Sequence, residues 1–233
     1  MSTQEKLNAQ DAVGASIGRN ADVEETIQLK GRYTVECWRV EPEHQARAEE
    51  LAAYVQRGRD ASWLKFWLKI GVEKKQRELD ALPRFLAWND ETPNTVVTVG
   101  KNYLLDNGMA GSAYTAAFFL GLISSTSFSA INPADTVSSH AGWLEAGSAN
   151  NPTYSQGARP TAAWSAASAG SKALSSALAY SITSSGTVKG AFMTTVSTKD
   201  GTTGTLFSAA LFSGGDKVVA NTDTLNVSYS LAV

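Results

Sequence analysis

The stretch GRYTVECWRV, residues 31–40, has the pattern that decides the fold class. Its side chains fall on two alternating sides. One side carries Tyr33, Val35 and Cys37, and the other carries Thr34, Glu36 and Trp38. Alternation with a period of two, in a run that contains β-branched and aromatic residues, is typical of a β-strand. The stretch is therefore predicted to form a strand.

Two helices are predicted directly after this strand. Residues 41–60, EPEHQARAEELAAYVQRGRD, have Pro42 near the first turn and Gly58 near the end, where each residue suits a helix. Residues 61–82 continue as a second helix, and Pro83 stops it. Helices joined by a short connection usually pack antiparallel, so the segment is predicted to form a helical hairpin.

The second helix has an aromatic face within SWLKFWLKIGV, residues 62–72. The spacing i, i+3, i+4, i+7 is followed by Trp63, Phe66, Trp67 and Ile70. Three interpretations are open: burial against the partner helix, contact with another subunit, and binding at a membrane interface. A membrane span is not expected, because the stretch is too short and Lys65 and Lys69 interrupt it.

The composition changes sharply near residue 94. Residues 1–94 contain 14 Lys and Arg and 16 Asp and Glu, whereas residues 95–233 contain 6 of each kind. The second part consists mainly of Ser, Thr, Ala, Gly and apolar residues. Its strand-length runs, beginning with NTVVTVG at residue 94, are separated by Gly, Ser, Asn, Asp and Pro. Seven or eight strands at this spacing predict a β-sandwich of the jelly-roll or Ig-like kind.

The predicted fold is therefore mainly β with a helical insertion. The expected parts are an extended N-terminal arm at 1–28, a β-sandwich domain formed by 29–40 and 94–233, and an inserted helical hairpin at 41–93. The arm is predicted because residues 1–28 have little hydrophobic density. The first residues lack a signal-peptide pattern and the single cysteine cannot form an internal disulfide, which favours assembly in a reducing cytoplasm.

The sequence shows no convergent set of catalytic or metal-binding residues. His140 has Asp135 and two serines as sequence neighbours, but a serine nucleophile needs a base and an acid that converge in space. His140 is therefore interpreted as a hydrogen-bonded loop residue. One cysteine and two distant histidines give no metal-ligand spacing, and no glycine-rich phosphate loop is present. No catalytic, cofactor or metal site is expected, and the protein is not predicted to be an enzyme.

Several segments in order along the chain resemble a family of small virion-associated structural proteins of tailed bacteriophages. The resembling segments are LKGRYTVEC (29–37), NTVVTVGKNYLLD (94–106), GSAYTAAFFLGLIS (111–124), PADTVSSHAGWLEAG (133–147) and TLFSAALFSGGDKVVANTDTLNVSYSLAV (205–233). The relatives run through a short turn from the first of these strands to the second. This chain departs from them by inserting the helical hairpin at that point.

The resemblance implies a structural component of a phage particle, assembled in the bacterial host cytoplasm and located in the virion. The first expectation is a capsid decoration or cement protein bound to the outside of the head. Two alternatives stay open: a tail, fibre or head–tail junction component, and a host-surface carbohydrate-binding module. In the last case Trp143, Tyr154 and Trp164 would stack on sugar rings.

The expected partners are other virion proteins, either the major capsid protein or tail proteins, and copies of the chain itself in a homo-oligomer. A nucleic-acid partner is not expected, because the net charge is −2. The first helix of the hairpin offers mostly small apolar side chains, so the aromatic face is expected to contact another subunit. The candidate contact residues are Trp63, Phe66, Trp67, Ile70 and Trp88.

Overall fold

The computed structural model describes residues 29–60, 66–109 and 118–232, with side chains except at 59–60, 66–69 and 105–109. The predicted N-terminal arm at 1–28 lies outside the described residues. The described part contains ten strands and three helices. In chain order they are β1 (Lys30–Val40), α1 (Gln45–Asp60), α2 (Phe66–Asp80), β2 (Arg84–Val96), α3 (Thr98–Met109), β3 (Phe119–Ser124), β4 (Glu145–Ala146), β5 (Ser171–Ala173), β6 (Leu178–Ser181), β7 (Gly186–Thr194), β8 (Leu206–Leu211), β9 (Lys217–Val219) and β10 (Thr224–Ala232).

The strands hydrogen-bond into one antiparallel sheet. Its order is β4-β3-β7-β8-β2-β1-β10-β5, and β6 and β9 pair in addition with β10 and β7. The mainly β class with a helical insertion is therefore confirmed. Strand β1 is also confirmed: the side chains of Tyr33, Val35 and Cys37 are fully buried, as the alternating pattern predicts. The sequence did not predict which strands are neighbours in the sheet.

The inner faces of the two halves of this sheet pack against each other. Tyr33 on β1 shares a 2.8 Å hydrogen bond with Ser208 on β8. The Tyr180 hydroxyl on β6 donates to the carbonyl oxygen of Leu120 on β3, also at 2.8 Å. Both tyrosines are completely buried, so each hydroxyl needs such a partner. These bonds join the half that contains β1, β6 and β10 to the half that contains β3 and β8.

Strand β2 is the principal correction to the sequence prediction. The predicted insertion 41–93 extends too far, because residues 84–93 form the first part of β2 and pair with β1 from Arg84 to Asn94. The sequence does not indicate this strand, because residues 89–92 are polar and Pro93 follows them. Pro93 is tolerated because β2 pairs with β8 only at Thr95 and Val96. No backbone hydrogen bond to β8 is therefore required from residue 93. The helical insertion ends at Asp80.

A tight approach between two strands gives the first testable prediction. A Cβ added at Gly190 on β7 would collide with the carbonyl oxygen of Ala210 and lie 2.8 Å from its carbonyl carbon. Since backbone cannot rotate away as a side chain can, Gly190→Ala is expected to lower the free energy of unfolding by about 2–3 kcal/mol. Urea unfolding measures the effect. Gly157→Ala is the matched control, because nothing lies within 4 Å of a Cβ there; equal destabilisation by both variants would refute the close approach.

Candidate interaction surface

The helical hairpin leaves the sheet at the ends of β1 and β2. Val40 and Arg84 lie directly opposite each other at the last paired position of these strands. A backbone hydrogen bond of 3.0 Å from Glu41 N to Pro83 O closes the neck of the hairpin. Above the neck, a small apolar cluster packs the two helices together. Its buried members are Val40, Ala48, Leu51 and Leu79.

The two helices approach closely near their connection. A Cβ on Gly58 of α1 would overlap the Val72 side chain of α2, so the glycine allows this contact. One ion pair, between Arg47 on α1 and Glu78 on α2, links the helices nearer the neck, and Lys75 on α2 binds the same carboxylate. The pKa of Glu78 is lowered by these two cations. Since these groups are largely solvent-exposed, the Arg47–Glu78 pair is expected to add little to the stability of the hairpin.

The structure places the predicted contact residues in two different regions. Trp63 lies outside the described residues, and Phe66 and Trp67 belong to α2 by backbone although their side chains lie outside the described part. Ile70 on α2 is 40 % exposed. Tyr54 on α1 is 39 % exposed, and sequence reasoning did not select it. A role for these residues in a subunit contact stays a prediction.

Trp88 does not belong to the hairpin. It lies on β2, where its indole N–H donates to Val218 O at 3.1 Å and its ring lies 6.2 Å from the Phe212 ring. Lys217 Nζ lies 5.6 Å from the Trp88 ring centroid. The strand extends farther toward the neck than predicted, which is why Trp88 faces its own sheet. The structure therefore does not bring Trp88 together with Ile70.

A loop after β8 crosses over β2 beside Trp88 and is tied to Asp90. The carboxylate of Asp90 accepts hydrogen bonds from the Ser213 hydroxyl, the Gly214 backbone N–H and Lys217 Nζ. Burial alone would raise the pKa of Asp90, but these donors outweigh it and hold the pKa below its usual value. The interaction with the loop is therefore strongest when Asp90 is ionised.

A buried polar cluster lies in the β domain next to the hairpin. Asp223, which is 1 % exposed, accepts hydrogen bonds from the Arg39 guanidinium at 2.9–3.3 Å and from Ala220 N at 2.8 Å. The Cys37 thiol donates to the same carboxylate at 3.4 Å. Arg84 at the neck donates to Thr222 O at 2.7 Å. A cavity of about 50 Å³ lies between the helices and this cluster.

A second buried charge cluster lies in the other half of the sheet. Arg159 and Glu145 are 3 % and 4 % exposed, and they form a bidentate ion pair with distances of 2.9 and 2.7 Å. Arg159 also donates to Val196 O at 2.8 Å, and Asp200 N donates to Glu145 at 2.6 Å. The pair thus joins the segment after β4 to the loop after β7. A buried pair with this many partners fixes loop geometry more than it adds stability.

The interpretation of His140 as a hydrogen-bonded loop residue is confirmed. His140 Nδ1 lies 2.9 Å from Trp143 O, and its ring stacks on the Trp143 ring at 4.0 Å. The Trp143 indole donates to Asp135 at 2.9 Å, so the aspartate is engaged with the tryptophan. A cavity of about 190 Å³ adjoins His140 and the Arg159–Glu145 pair. Among the charged residues that line this cavity, Arg159 and Glu145 pair with each other, and the Asp200 carboxylate accepts hydrogen bonds from Ser148 and from Ala149 N.

The aromatic residues proposed for sugar stacking are packed inside the β domain. Trp143 and Tyr154 are almost completely buried. Trp164 is half-buried and makes edge-on contacts with Phe118 and Tyr229. A sugar ring needs an exposed aromatic face, which Trp143 and Tyr154 do not offer. These two residues are therefore wrong as stacking candidates.

An open groove of about 670 Å³ beside Tyr154 is lined mainly by hydroxyl and amide side chains. Lys199 is one of the lining residues, and its Nζ donates to Gly147 O at 3.0 Å and to Tyr154 O at 3.1 Å. Its ammonium group also sits 3.7 Å from the centre of the Tyr154 ring. Burial lowers the pKa of Lys199. The lysine is thus engaged with its own chain rather than aimed at the open groove.

Sequence reasoning missed the buried charges, although a signal for them was present. Residues 95–233 carry few charged side chains, so each of them is a candidate for an ion pair or hydrogen bond within the protein. In this half the structure pairs Arg159 with Glu145 and Lys189 with Asp216. Lys217 and Asp223 reach across to partners on β2 and β1. The partners could not be assigned, because they depend on strand neighbours that the sequence does not reveal.

Within 29–60, 66–109 and 118–232, no group of three or more His, Cys, Asp or Glu side chains is arranged to hold a metal ion. No helix in these same ranges combines the length and apolar character needed to cross a membrane. Comparisons of the chain with protein-family models, curated proteins and solved structures found no match.

Proposed function

We propose that this chain is a structural protein of a tailed-bacteriophage particle, bound as a decoration or cement protein to the outside of the head. One observation carries the proposal. Three of the segments that resemble the virion-associated family contribute strands to a single sheet: the first contributes β1, the third β3 and the last β8, β9 and β10. The helical hairpin, which the relatives lack, projects from the end of two of these strands.

The β domain supports a structural role because its charges are used internally. The Arg159–Glu145 pair and the Asp223 carboxylate are buried, and Lys199 bonds to two carbonyl groups. Few charges are left to select a charged ligand. The domain is thus suited to pack against the shell or against copies of itself. The hairpin supplies a second, separate surface that can bridge neighbouring subunits.

The partners in this proposal are the major capsid protein and further copies of the chain. The protein acts without catalysis, cofactor or nucleic acid. The experiment adds the purified, labelled chain to particles assembled without it and locates the label by electron microscopy. Label spread over the head supports a decoration protein. Label confined to the tail or its junction would show a tail component instead, and binding to host glycans without binding to particles would show a carbohydrate-binding module.

The aromatic residues of the hairpin give a test of the bridging surface. The double variant Trp63→Ser, Trp67→Ser is expected to weaken self-association or particle binding by at least about tenfold, because tryptophans are frequent anchors of interfaces. The urea midpoint of the β domain is expected to stay nearly unchanged. Binding isotherms and unfolding curves measure the two quantities. Normal assembly together with lost stability would mean that these tryptophans are core residues of the hairpin.

A further inference from the structure

The cavity of about 190 Å³ beside His140 has fixed apolar walls. Four of its lining side chains are 3 % exposed or less and belong to one core cluster of the β domain: Val137, Trp143, Phe192 and Leu206. Close packing within that cluster holds these side chains in place, so the cavity does not depend on a ligand for its shape. A pre-formed, mainly apolar cavity with a few polar groups is the usual form of a binding site for a small ligand.

The cavity is open to solvent on one side and has room for one ring. Its solvent-exposed lining residues are Leu144, Asp200 and Thr202, so the opening lies between them. A small molecule can enter there without displacing a residue of the core cluster. In protein interiors an apolar cavity of about 150 Å³ binds benzene. The volume of this cavity therefore suits one aromatic ring with a small substituent.

The charges around the cavity favour a neutral ligand. Arg159 and Glu145 neutralise each other through two hydrogen bonds, at 2.9 and 2.7 Å. The Asp200 carboxylate accepts a hydrogen bond from Ser148, and the nearby Lys199 ammonium attracts both Asp200 and Glu145. Since these two cations offset the two anions, neither a cationic nor an anionic ligand gains a net attraction. A neutral ligand also avoids the cost of taking a further charge out of water.

His140 supplies the hydrogen-bond acceptor that selects among neutral ligands. Its Nδ1 lies 2.9 Å from the Trp143 carbonyl oxygen, so Nδ1 carries the proton in the neutral ring. Nε2 is then an acceptor, and no donor among the described residues bonds to it. Stacking on the Trp143 ring at 4.0 Å holds the imidazole in place at the edge of the cavity. A ligand that carries a hydroxyl group can therefore donate to Nε2.

We propose that this cavity is a binding site for a phenol group, whose ring contacts the apolar walls and whose hydroxyl donates to His140 Nε2. The ring matches the volume enclosed by the core residues, and the hydroxyl reaches the free acceptor without adding a charge. The phenol belongs either to a free small molecule or to a tyrosine of another protein. The site rests on contacts within the β domain and does not depend on the role in a phage particle.

The first experiment titrates the full-length protein with para-cresol and with toluene, which has the same ring and methyl group but no hydroxyl. Proton–nitrogen NMR spectra report binding at the backbone amides of the lining residues. Para-cresol is expected to bind with a Kd of about 1 mM, a strength ordinary for a single ring, and toluene about fivefold more weakly. No saturable shift at the lining residues, or equal or tighter binding of toluene, would overturn the proposal. This comparison needs only the unmodified chain.

The variant His140→Phe separates recognition of the hydroxyl from binding of the ring. Phenylalanine keeps a ring beside Trp143 but has no acceptor. Para-cresol is therefore expected to bind about fivefold more weakly to this variant, whereas the Kd of toluene stays within about twofold and shows that the cavity is intact. His44→Phe is the matched control, because His44 lies just before α1 and does not line the cavity. An unchanged Kd of para-cresol in His140→Phe, or an equal loss in His44→Phe, would overturn the role of His140.

A tyrosine derivative distinguishes the two sources of the phenol. N-acetyltyrosinamide carries the same ring on a peptide-like backbone, so it binds only if the opening admits a tyrosine that belongs to a chain. A Kd within about tenfold of that of para-cresol identifies the ligand as a tyrosine of a partner protein, and a larger loss identifies it as a free phenol. Either result supports the site, whereas failure of both phenols to bind overturns it.

Discussion

Replacing Arg159 with methionine is expected to lower the free energy of unfolding by about 3–5 kcal/mol, the usual cost of removing one partner from a buried ion pair. Arg159 and Glu145 are both almost inaccessible to water. The variant leaves the Glu145 carboxylate with only the Asp200 N–H as a described donor and leaves Val196 O without the guanidinium. Urea unfolding at neutral pH measures the loss.

The same substitution at an exposed pair is the matched control. Arg32 pairs with Glu91 on the surface, where the two side chains are 58 % and 54 % exposed. Arg32→Met is expected to change stability by no more than about 0.5 kcal/mol. The double variant Glu145→Gln, Arg159→Met should recover part of the loss, because no buried charge is then left unpaired. Losses of similar size for Arg159→Met and Arg32→Met would contradict the description of the buried pair.

Deleting residues 41–83 and joining Val40 to Arg84 through Asn-Gly is expected to leave a cooperatively folding β protein. Val40 and Arg84 face each other in register, so a two-residue turn connects them without strain. The lost apolar cluster belongs to the hairpin and not to the core around Trp143. Under the proposed function, the variant also loses the bridging surface, and binding to particles falls by at least about tenfold.

A longer deletion distinguishes the hairpin from the strand that follows it. Removing residues 41–92 also takes away most of β2, the strand that connects β1 to β8 in the sheet. This variant is expected to lose cooperative unfolding, which circular dichroism in urea detects. Cooperative unfolding after removal of 41–92 would contradict the assignment of β2. Loss of cooperativity after removal of 41–83 would mean that the hairpin is part of the β core.

The sequence was sufficient for the elements whose periodicity is strong. Alternation in residues 31–40 predicted β1, and the buried Tyr33, Val35 and Cys37 confirm it. The helices predicted at 41–60 and 61–82 correspond to α1 and α2. In β1 and α1 the buried residues recur with the period of a strand or a helix, so the sequence pattern is sufficient to identify the element.

Strand β2 was missed because its stability comes from its neighbours. Residues 84–93, RFLAWNDETP, include Asn, Asp and Pro, which have low strand propensity. Pairing with β1 over the whole stretch, together with the bonds from Ser213, Gly214 and Lys217 to Asp90, outweighs that propensity. For the same reason Trp88 was assigned to the hairpin, although it packs on β2 against Phe212 and the Val218 carbonyl.

The Arg39–Asp223 pair and the Arg159–Glu145 pair could not be predicted from sequence patterns. Arg39 and Asp223 are far apart in the chain and meet because β1 and β10 are neighbours. Glu145 lies on β4, and Arg159 meets it because the irregular segment after β4 folds back toward that strand. Strand order decides the first encounter and the path of an irregular segment decides the second, and the periodicity of the sequence predicts neither.

The most direct test of the proposed function is the number of copies of this chain in purified phage particles, measured by quantitative mass analysis. A decoration protein covers the shell, so the account predicts hundreds of copies per particle. A count of about six or twelve would indicate a symmetric ring at the tail or its junction. Absence of the chain from purified particles would contradict the account.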